Sequence, residues 1–181
     1  MQVSPMPCEP PVESIRFGEE KDETVAQRMR GLFQEDQVSR QSEPIDWDTL
    51  NAEDLKRRVE VMRYLQQAEI NDPESLYHAA FIFQHGDCPD HYQLANQLAE
   101  RAMNSGYKRA CWIYAASLDR YLRSIGEPQK FGTQFIVIDG QWALQPHNPA
   151  TTDEERKKYN VPLLAQQLKY AEDMNRKNGQ L

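Results

Sequence analysis

The sequence lacks any apolar run that approaches the roughly 20 residues needed to cross a membrane. Its first residues also lack the basic segment followed by an apolar one that marks a secretory signal. Positive charge is in deficit, because 21 Lys and Arg stand against 28 Asp and Glu, for a formal net charge of -7. Nucleic-acid binding needs surplus positive charge on the protein, so we expect neither a nucleic-acid nor a membrane partner.

Cysteine is scarce and irregularly spaced. The three cysteines, Cys8, Cys88 and Cys111, form no C-x-x-C pair. An odd number without such a pair predicts neither a disulfide framework nor a thiolate metal site, and it favours a reducing compartment. We therefore expect a cytoplasmic protein without a metal or another cofactor.

Several motifs that carry well-known chemistry are also missing. The chain has no phosphate-binding loop, no dinucleotide-binding glycine fingerprint and no G-x-S-x-G nucleophile motif. Two basic triplets, 56–58 and 156–158, lie beside acidic residues, and we expect both to be solvated helix faces. A turn at Gly86 could bring together four residues of two metal-ligand types, histidine and carboxylate: His85, Asp87, Asp90 and His91. No H-E-x-x-H helix supports a metal there.

The remaining sequence predicts one modest domain. Prolines and acids mark residues 1–19 as an extended or disordered leader. The domain is then expected at 20–176, and residues 177–181 form a tail after it. Apolar residues recur at helical intervals, with capping residues and prolines at the starts. The predicted helices cover about 20–41, 51–68, 73–85, 89–104, 107–125, 152–158 and 162–176.

The pattern changes after Gly126. Aromatic and β-branched residues precede Asp139-Gly140, and a second short apolar run follows that pair. An Asp-Gly pair between two such runs is a strong signal for a β-hairpin, here at 131–145. The expected fold is therefore mostly α, an antiparallel helical bundle with one C-terminal β-hairpin.

Small residues suggest how the helices between Leu76 and Ile125 pack. Alanines recur at the expected crossing points, and Gly86 and Gly106 separate the helices. This pattern resembles a tetratricopeptide or Sel1-type helical pair, a unit that stacks into arrays. About one and a half units are present and no second copy follows, so the resemblance supports antiparallel packing more than a repeat array.

A more specific resemblance covers roughly residues 29–162. The chain resembles a family of uncharacterised bacterial proteins with short polar motifs in a fixed order. These motifs appear here as Asp36-Gln37 with Arg40, Gln84-His85, Asp119-Arg120, Pro128-Gln129 and Phe131-Gly132-Thr133-Gln134. Phe131 stands where the family has tyrosine, so any role of that hydroxyl is absent. The resemblance implies no particular reaction.

We predict that these polar residues line one pocket between the helices and the hairpin. His85 could act as a general acid or base, because its ordinary pKa lies near neutrality, with Asp36 or Asp119 orienting it. Arginine and glutamine could bind a carboxylate or phosphate of a small anionic ligand, and Gly132 would allow a close approach or a positive φ. The predicted ligand-binding residues are Arg40, Gln37, Arg120, Gln129, Gly132, Thr133 and Gln134.

Such a pocket could catalyse hydrolysis or group transfer on the bound ligand. Two other interpretations of the same residues remain open. The residues could form a buried polar network that ties the helices to the hairpin, and they would then be dry and mutually hydrogen-bonded. The chain could instead be an interaction module that binds a peptide or partner protein without catalysis. That module would need an exposed apolar groove among the helices between Leu76 and Ile125.

Overall fold

The computed structural model describes Cys8 and residues 23–41 and 44–178. The predicted leader, apart from Cys8, and the last residues of the predicted tail lie outside this range. Within it the chain is mostly helical with one C-terminal hairpin, as predicted. The elements are α1 (Val25–Ser39), α2 (Trp47–Gln66), α3 (Pro73–Gln84), α4 (Pro89–Asn104), α5 (Ala110–Ser124), β1 (Phe135–Ile138), β2 (Gln141–Leu144), α6 (Asp153–Lys158) and α7 (Leu164–Asn178).

Side-chain caps fix where the first helices begin. Thr24 forms a reciprocal capping box with Gln27 at the start of α1. Asp72 caps α3 by accepting a hydrogen bond from the Ser75 backbone, and Pro73 occupies the first turn as expected. The predicted start of α2 near residue 51 is wrong, because Asp46 accepts a hydrogen bond from Thr49 and begins the helix earlier.

Helix α3 lies at the centre of the core. It contacts α1, α2, α4 and α5, and α4 packs against both α3 and α5. Alanines at the crossing positions are fully buried and let the helix backbones approach closely. Larger apolar side chains fill the remaining space at essentially zero exposure: Met29, Leu32, Ile82, Phe83, Leu98 and Ile113.

The hairpin forms where the Asp-Gly pair predicts it. Strands β1 and β2 are antiparallel, with Ile138 opposite Gln141. Asp139 and Gly140 connect them with φ angles of 50° and 77°, the left-handed backbone that a tight two-residue turn requires. Helix α7 holds the hairpin in place, because the Asn175 side chain bonds both the N–H and the C=O of Trp142.

The basic triplets are not solvated faces throughout. Arg57, Arg58 and Arg156 are buried. Arg57 donates to Asp54 at 2.7 Å, and Arg156 donates to the Phe131 carbonyl at 2.9 Å. The expectation failed because a charge pattern does not show that a long guanidinium side chain can reach an acceptor inside the fold.

The cysteine prediction is also wrong. Cys8 and Cys88 form a disulfide with their Cα atoms 6.5 Å apart, while Cys111 is a half-buried free thiol. The pair is separated by 80 residues in sequence, so no local spacing could reveal it. Over residues 23–41 and 44–178, no helix is both long and apolar enough to cross a membrane.

Candidate functional site

The predicted site residues fall into two groups in the structure. Asp36, Gln37, Arg40, Gln84 and His85 form one group at the ends of α1 and α3, here called the His85 cluster. The other group, here called the Asp119 loop, comprises Asp119, Gln129, Gly132, Thr133 and Gln134 after α5. In the described part of the chain no hydrogen bond or ion pair joins these groups.

Asp36 is the centre of the His85 cluster. Its carboxylate is fully buried and receives hydrogen bonds from Gln37 at 2.7 Å, Arg40 at 2.8 Å and His85 Nδ1 at 3.0 Å. A carboxylate only accepts hydrogen bonds, so His85 Nδ1 carries a proton. In the neutral ring the Nε2 lone pair then accepts from the Gln84 side-chain amide at 3.0 Å. Asp36, not Asp119, is therefore the carboxylate that orients His85.

Arg40 extends the cluster into α2. Its two terminal nitrogens bind different acids, one on Asp36 and one on the buried Asp54. Asp54 in turn accepts from Arg57 at 2.7 Å. The sequence analysis missed Asp54 as a site residue, although its i,i+3 spacing to Arg57 was an available signal. The result is a charge-paired chain that fixes the Arg40 and His85 side chains.

The neighbours of Asp36 counteract the effect of burial on its pKa. Burial acts to raise the pKa of this carboxyl, but the hydrogen bond and charge of His85, the charge of Arg40 and the hydrogen bond of Gln37 outweigh it. The pKa of Asp36 therefore lies below its ordinary value. Asp36 stays ionised at neutral pH and can stabilise a proton on His85.

Acid titration should detect this carboxylate. Because its folded-state pKa is depressed, Asp36 stabilises the fold fully above its unfolded-state pKa of about 3.9, and this contribution is lost as the pH falls through the folded-state value. We expect Asp36→Asn to flatten the fall in unfolding free energy below about pH 4, measured by urea unfolding at each pH. The exposed Asp48 on α2 offers the control Asp48→Asn. Equal slopes for wild type and Asp36→Asn would contradict the assignment.

Arg120 on α5 differs from Arg40 and Arg57, which are paired with acids. Its Nε is buried, and neither a hydrogen bond nor an ion pair reaches the guanidinium from anywhere in residues 23–41 and 44–178. Burial lowers the pKa of Arg120, the nearby Tyr92 acts in the opposite direction, and the positive charges of Arg123 and Arg40 lower it further. Arg40 is itself paired with Asp36 and Asp54, whereas Arg120 has no carboxylate beside it in the described residues.

Tyr92 places Arg120 at the same end of the bundle as the His85 cluster. The Tyr92 hydroxyl donates to the carbonyl of Gly86, the residue that follows His85. Arg40, which also acts electrostatically on Arg120, binds the same Asp36 that orients His85. Arg120, Arg40 and the imidazole thus come from three helices to one end of the bundle.

Asp119 points elsewhere and organises the loop that follows α5. Its fully buried carboxylate accepts backbone N–H bonds from Lys130 at 2.7 Å, Phe131 at 2.9 Å and Thr133 at 2.9 Å. The Thr133 hydroxyl adds a fourth bond at 2.8 Å. Burial raises the pKa of Asp119, while these donors act to lower it. All its contacts serve the loop.

Two glutamines connect this loop to the hairpin. The fully buried Gln129 donates to the carbonyls of Gln134 and Gln145, both at 3.0 Å, and accepts from the Gln134 backbone at 2.9 Å. The Gln134 side chain donates to the Thr133 hydroxyl. Gly132 has the expected positive φ, at 87°. These residues are dry and mutually bonded, the arrangement described above for a buried polar network.

A cavity of about 500 Å³ opens beside this loop. Thr133 is the one predicted site residue among those that line it. Its wall is mainly apolar, with three aromatic side chains and no charged one, and it is formed by α5, the hairpin, α7 and the loops beside them rather than by a groove within residues 76–125. The lining residues are Trp112, Thr133, Phe135, Pro162, Gln166, Gln167 and Tyr170.

Metal-ligand side chains meet at a different place from the one considered above. His85 bonds Asp36, whereas His91 lies against Asp87, so the two histidines belong to different environments. The sequence predicted no thiolate metal site, but the structure brings two cysteines and a histidine close together. The sulfurs of Cys8 and Cys88 and one ring nitrogen of His91 all lie within 4.8 Å of one another.

Comparisons with known proteins add no family to this geometry. The chain matches no protein-family model, no curated protein and no solved structure. The functional argument therefore rests on the side chains themselves, above all on the half-buried Arg120, which has no acid beside it.

Proposed function

We propose that this protein binds a small anion at the end of the bundle where Arg120, Arg40 and His85 come together. The observation that carries the proposal is Arg120, a half-buried arginine whose Nε is buried without a hydrogen-bond partner and which no carboxylate of residues 23–41 or 44–178 accompanies. Arg40 and His85 already have fixed orientations through Asp36. The site is therefore arranged before any ligand arrives.

The energetics favour an anion as the missing partner. A charged group removed from water is unfavourable unless another charge and its hydrogen bonds compensate it. Arg123 and Arg40 increase this penalty for Arg120, since like charges repel. A phosphate or carboxylate would reverse the sign of these interactions, and its oxygens match the planar fork of a guanidinium.

His85 gives the proposal a catalytic form, which is hydrolysis or group transfer on the bound anion. Its Nδ1 proton is held by Asp36, and its Nε2 lone pair is the atom that could accept a proton. Gln84 occupies that lone pair, while its buried Oε1 has no partner in the described residues. A ligand that donates to Nε2 would replace the Gln84 contact.

Thermal shift with inorganic phosphate tests the binding. At a phosphate concentration 100 times the dissociation constant, the stabilisation is about 2.7 kcal/mol, which corresponds to a rise in Tm of about 5–10 °C for a chain of this size. Chloride at equal ionic strength should not reproduce this rise. Arg120→Met should reduce it to about a third or less, whereas Lys108→Met, which removes an exposed positive charge just before α5, should retain it.

The same experiment separates the alternatives. If phosphate and a simple dicarboxylate such as succinate both leave the wild-type Tm unchanged, the anion proposal fails. If Lys108→Met loses the shift as fully as Arg120→Met, the effect is general charge screening and the proposal also fails.

A second candidate function is supported by the aromatic cavity. We propose for it an interaction module, without catalysis, that binds a peptide carrying an apolar or aromatic side chain between Trp112, Phe135 and Tyr170. Trp112 and Tyr170 are exposed although they line a cavity, a combination typical of contact residues. In this candidate function, the helices between Leu76 and Ile125 are proposed to be a tetratricopeptide or Sel1-type pair.

A displayed peptide library tests this second candidate. Selection on the wild type with counter-selection on Trp112→Ala should enrich peptides with one shared aromatic or large apolar position. Trp47→Ala is the matched control, because Trp47 is exposed at the start of α2 and does not line the cavity. No enrichment over Trp112→Ala would contradict the candidate.

We further propose a cytoplasmic location and membership of the bacterial family that the motifs resemble. The order of the polar motifs supports the family. In a reducing cytoplasm the Cys8–Cys88 disulfide would be open as two thiols, which matters for the next section.

A further inference from the structure

His91 lies at the point where Cys8 joins the body of the protein. The imidazole is fully buried near the start of α4, and its Nε2 is 3.6 Å from the Cys8 sulfur. Cys88, the N-cap residue of α4, is bonded to Cys8. Two sulfurs and one ring nitrogen therefore lie within 4.8 Å of one another.

The other ring nitrogen of His91, Nδ1, contacts Asp87. His91 Nδ1 lies 3.2 Å from a carboxylate oxygen of Asp87, and it accepts a hydrogen bond from the Asp87 backbone N–H at 3.2 Å. Metal binding at Nε2 requires the tautomer with the proton on Nδ1, which then donates to the Asp87 carboxylate in place of the bond accepted from the backbone, and leaves the Nε2 lone pair directed at the sulfurs. A histidine ligand supported in this way by a carboxylate is the usual second shell of a zinc site.

The backbone near Gly86 is shaped around this ring. A Cβ added at Gly86 would lie 2.3 Å from His91 Nδ1 and 2.4 Å from His91 Cβ. Because the ring is buried it has no room to move away, so only glycine allows this approach. The turn therefore fixes the direction of the Nε2 atom as well as its position.

We propose that the dithiol form of this protein binds one Zn²⁺ through the sulfurs of Cys8 and Cys88 and Nε2 of His91. The spacing fits: ligand distances of about 2.3 Å for sulfur and 2.0–2.1 Å for nitrogen place S and N about 3.6 Å apart around a tetrahedral ion. Cys8 and His91 already have this separation, at 3.6 Å. A fourth position stays available to water or another ligand.

The disulfide and the zinc form are alternative states of the same two cysteines. A dithiol reductant transfers two electrons and two protons to the disulfide, giving two cysteine thiols and oxidising itself to a disulfide. Each thiol then releases one proton as it binds the metal. Thiolates with an imidazole favour zinc over magnesium or calcium, which prefer oxygen ligands. Zinc would keep Cys8 joined to the turn before α4 in a reducing compartment.

Cobalt titration of the full-length protein tests the site. The protein is reduced with a dithiol, freed of metal with a chelator, and titrated with Co²⁺ without oxygen. We expect thiolate-to-cobalt absorption and tetrahedral visible bands that saturate at one equivalent, and Zn²⁺ should remove both. The disulfide form, titrated in parallel, should show neither signal.

Three variants distinguish ligands from bystanders. Cys8→Ser should abolish the thiolate-to-cobalt signal at one equivalent, and the variant should stay folded because Cys8 is exposed. Asp87→Asn should weaken zinc binding about 10–100-fold, as expected for loss of a supporting carboxylate. Cys111→Ser, which removes the free thiol of α5, should bind as the wild type does.

The outcomes decide the proposal either way. It is overturned if the reduced wild type shows no thiolate-to-cobalt absorption, if Cys8→Ser retains the full signal, or if Cys111→Ser loses it. Saturation at one equivalent with loss in Cys8→Ser and retention in Cys111→Ser supports it.

Discussion

Replacing Asp119 with asparagine should lower the free energy of unfolding by about 3 kcal/mol, because the carboxylate is the hub of four hydrogen bonds in a fully buried position. An asparagine oxygen could still accept from the Lys130 and Phe131 backbones. Its NH₂ group would then face the N–H and hydroxyl of Thr133, which need an acceptor. At least one buried donor is left without a partner, and its desolvation then destabilises the folded state without compensation.

Urea unfolding measures this effect. The matched control is Glu127→Gln, which neutralises an exposed acid a few residues further along the same connection. We expect the control to stay within about 0.5 kcal/mol of the wild type. A loss below about 1 kcal/mol for Asp119→Asn would contradict the description of Asp119 as the organiser of the loop.

Arg120→Met should have the opposite effect on stability and a large effect on binding. In buffer without a binding anion, we expect the unfolding free energy to stay equal or rise by about 0.5–2 kcal/mol, because functional residues are often held at the expense of stability. Methionine fills similar space without a buried charge. Loss of the charged contact should weaken phosphate binding at least about 30-fold, since breaking such a pair typically costs 2 kcal/mol or more.

The sign of the stability change separates a ligand site from architecture. A structural arginine loses hydrogen bonds when it is replaced, so the variant would be less stable by a few kcal/mol. Urea unfolding with and without phosphate gives both quantities on the same samples. Arg156→Met is the contrasting variant, because Arg156 is buried and donates to the Phe131 and Thr151 carbonyls, so it should destabilise. Equal destabilisation of both variants would contradict our interpretation of Arg120.

Local signals predicted the fold well. Helical periodicity located the helices, the Asp72-Pro73 start signal marked α3, and Asp139-Gly140 marked the hairpin turn. Each of these features depends on residues close together in sequence. The early start of α2 was missed because the cap at Asp46 competes with a second plausible cap at Asn51, and local pattern does not rank them.

The site was predicted only in part, for a geometric reason. Asp36 and Arg40 are four residues apart on α1, so their pairing follows from helix geometry. Asp119 and Arg120 are adjacent on α5, and successive helical residues point about 100° apart. The two side chains therefore serve different surroundings, with Asp119 in the loop and Arg120 toward Arg40. Grouping them in one pocket treated neighbours in sequence as neighbours in space.

Other features depend on tertiary contacts that no local pattern contains. His85 reaches Asp36 from another helix, across 49 positions of sequence. Cys8 and Cys88 meet across 80 positions, and the Arg156 guanidinium finds its acceptor on Phe131 across 25. In each case the residue type suggested polar chemistry, and only the packed structure identified the partner.

The most direct test of the anion site is a crystal of the wild-type protein soaked in tungstate, a heavy analogue of phosphate, with anomalous diffraction recorded. We predict an anomalous peak within hydrogen-bond reach of the Arg120 guanidinium, on the side of Arg40 and His85, and no such peak in Arg120→Met crystals. A wild-type map with tungstate elsewhere on the surface and nothing at Arg120 would contradict the central claim.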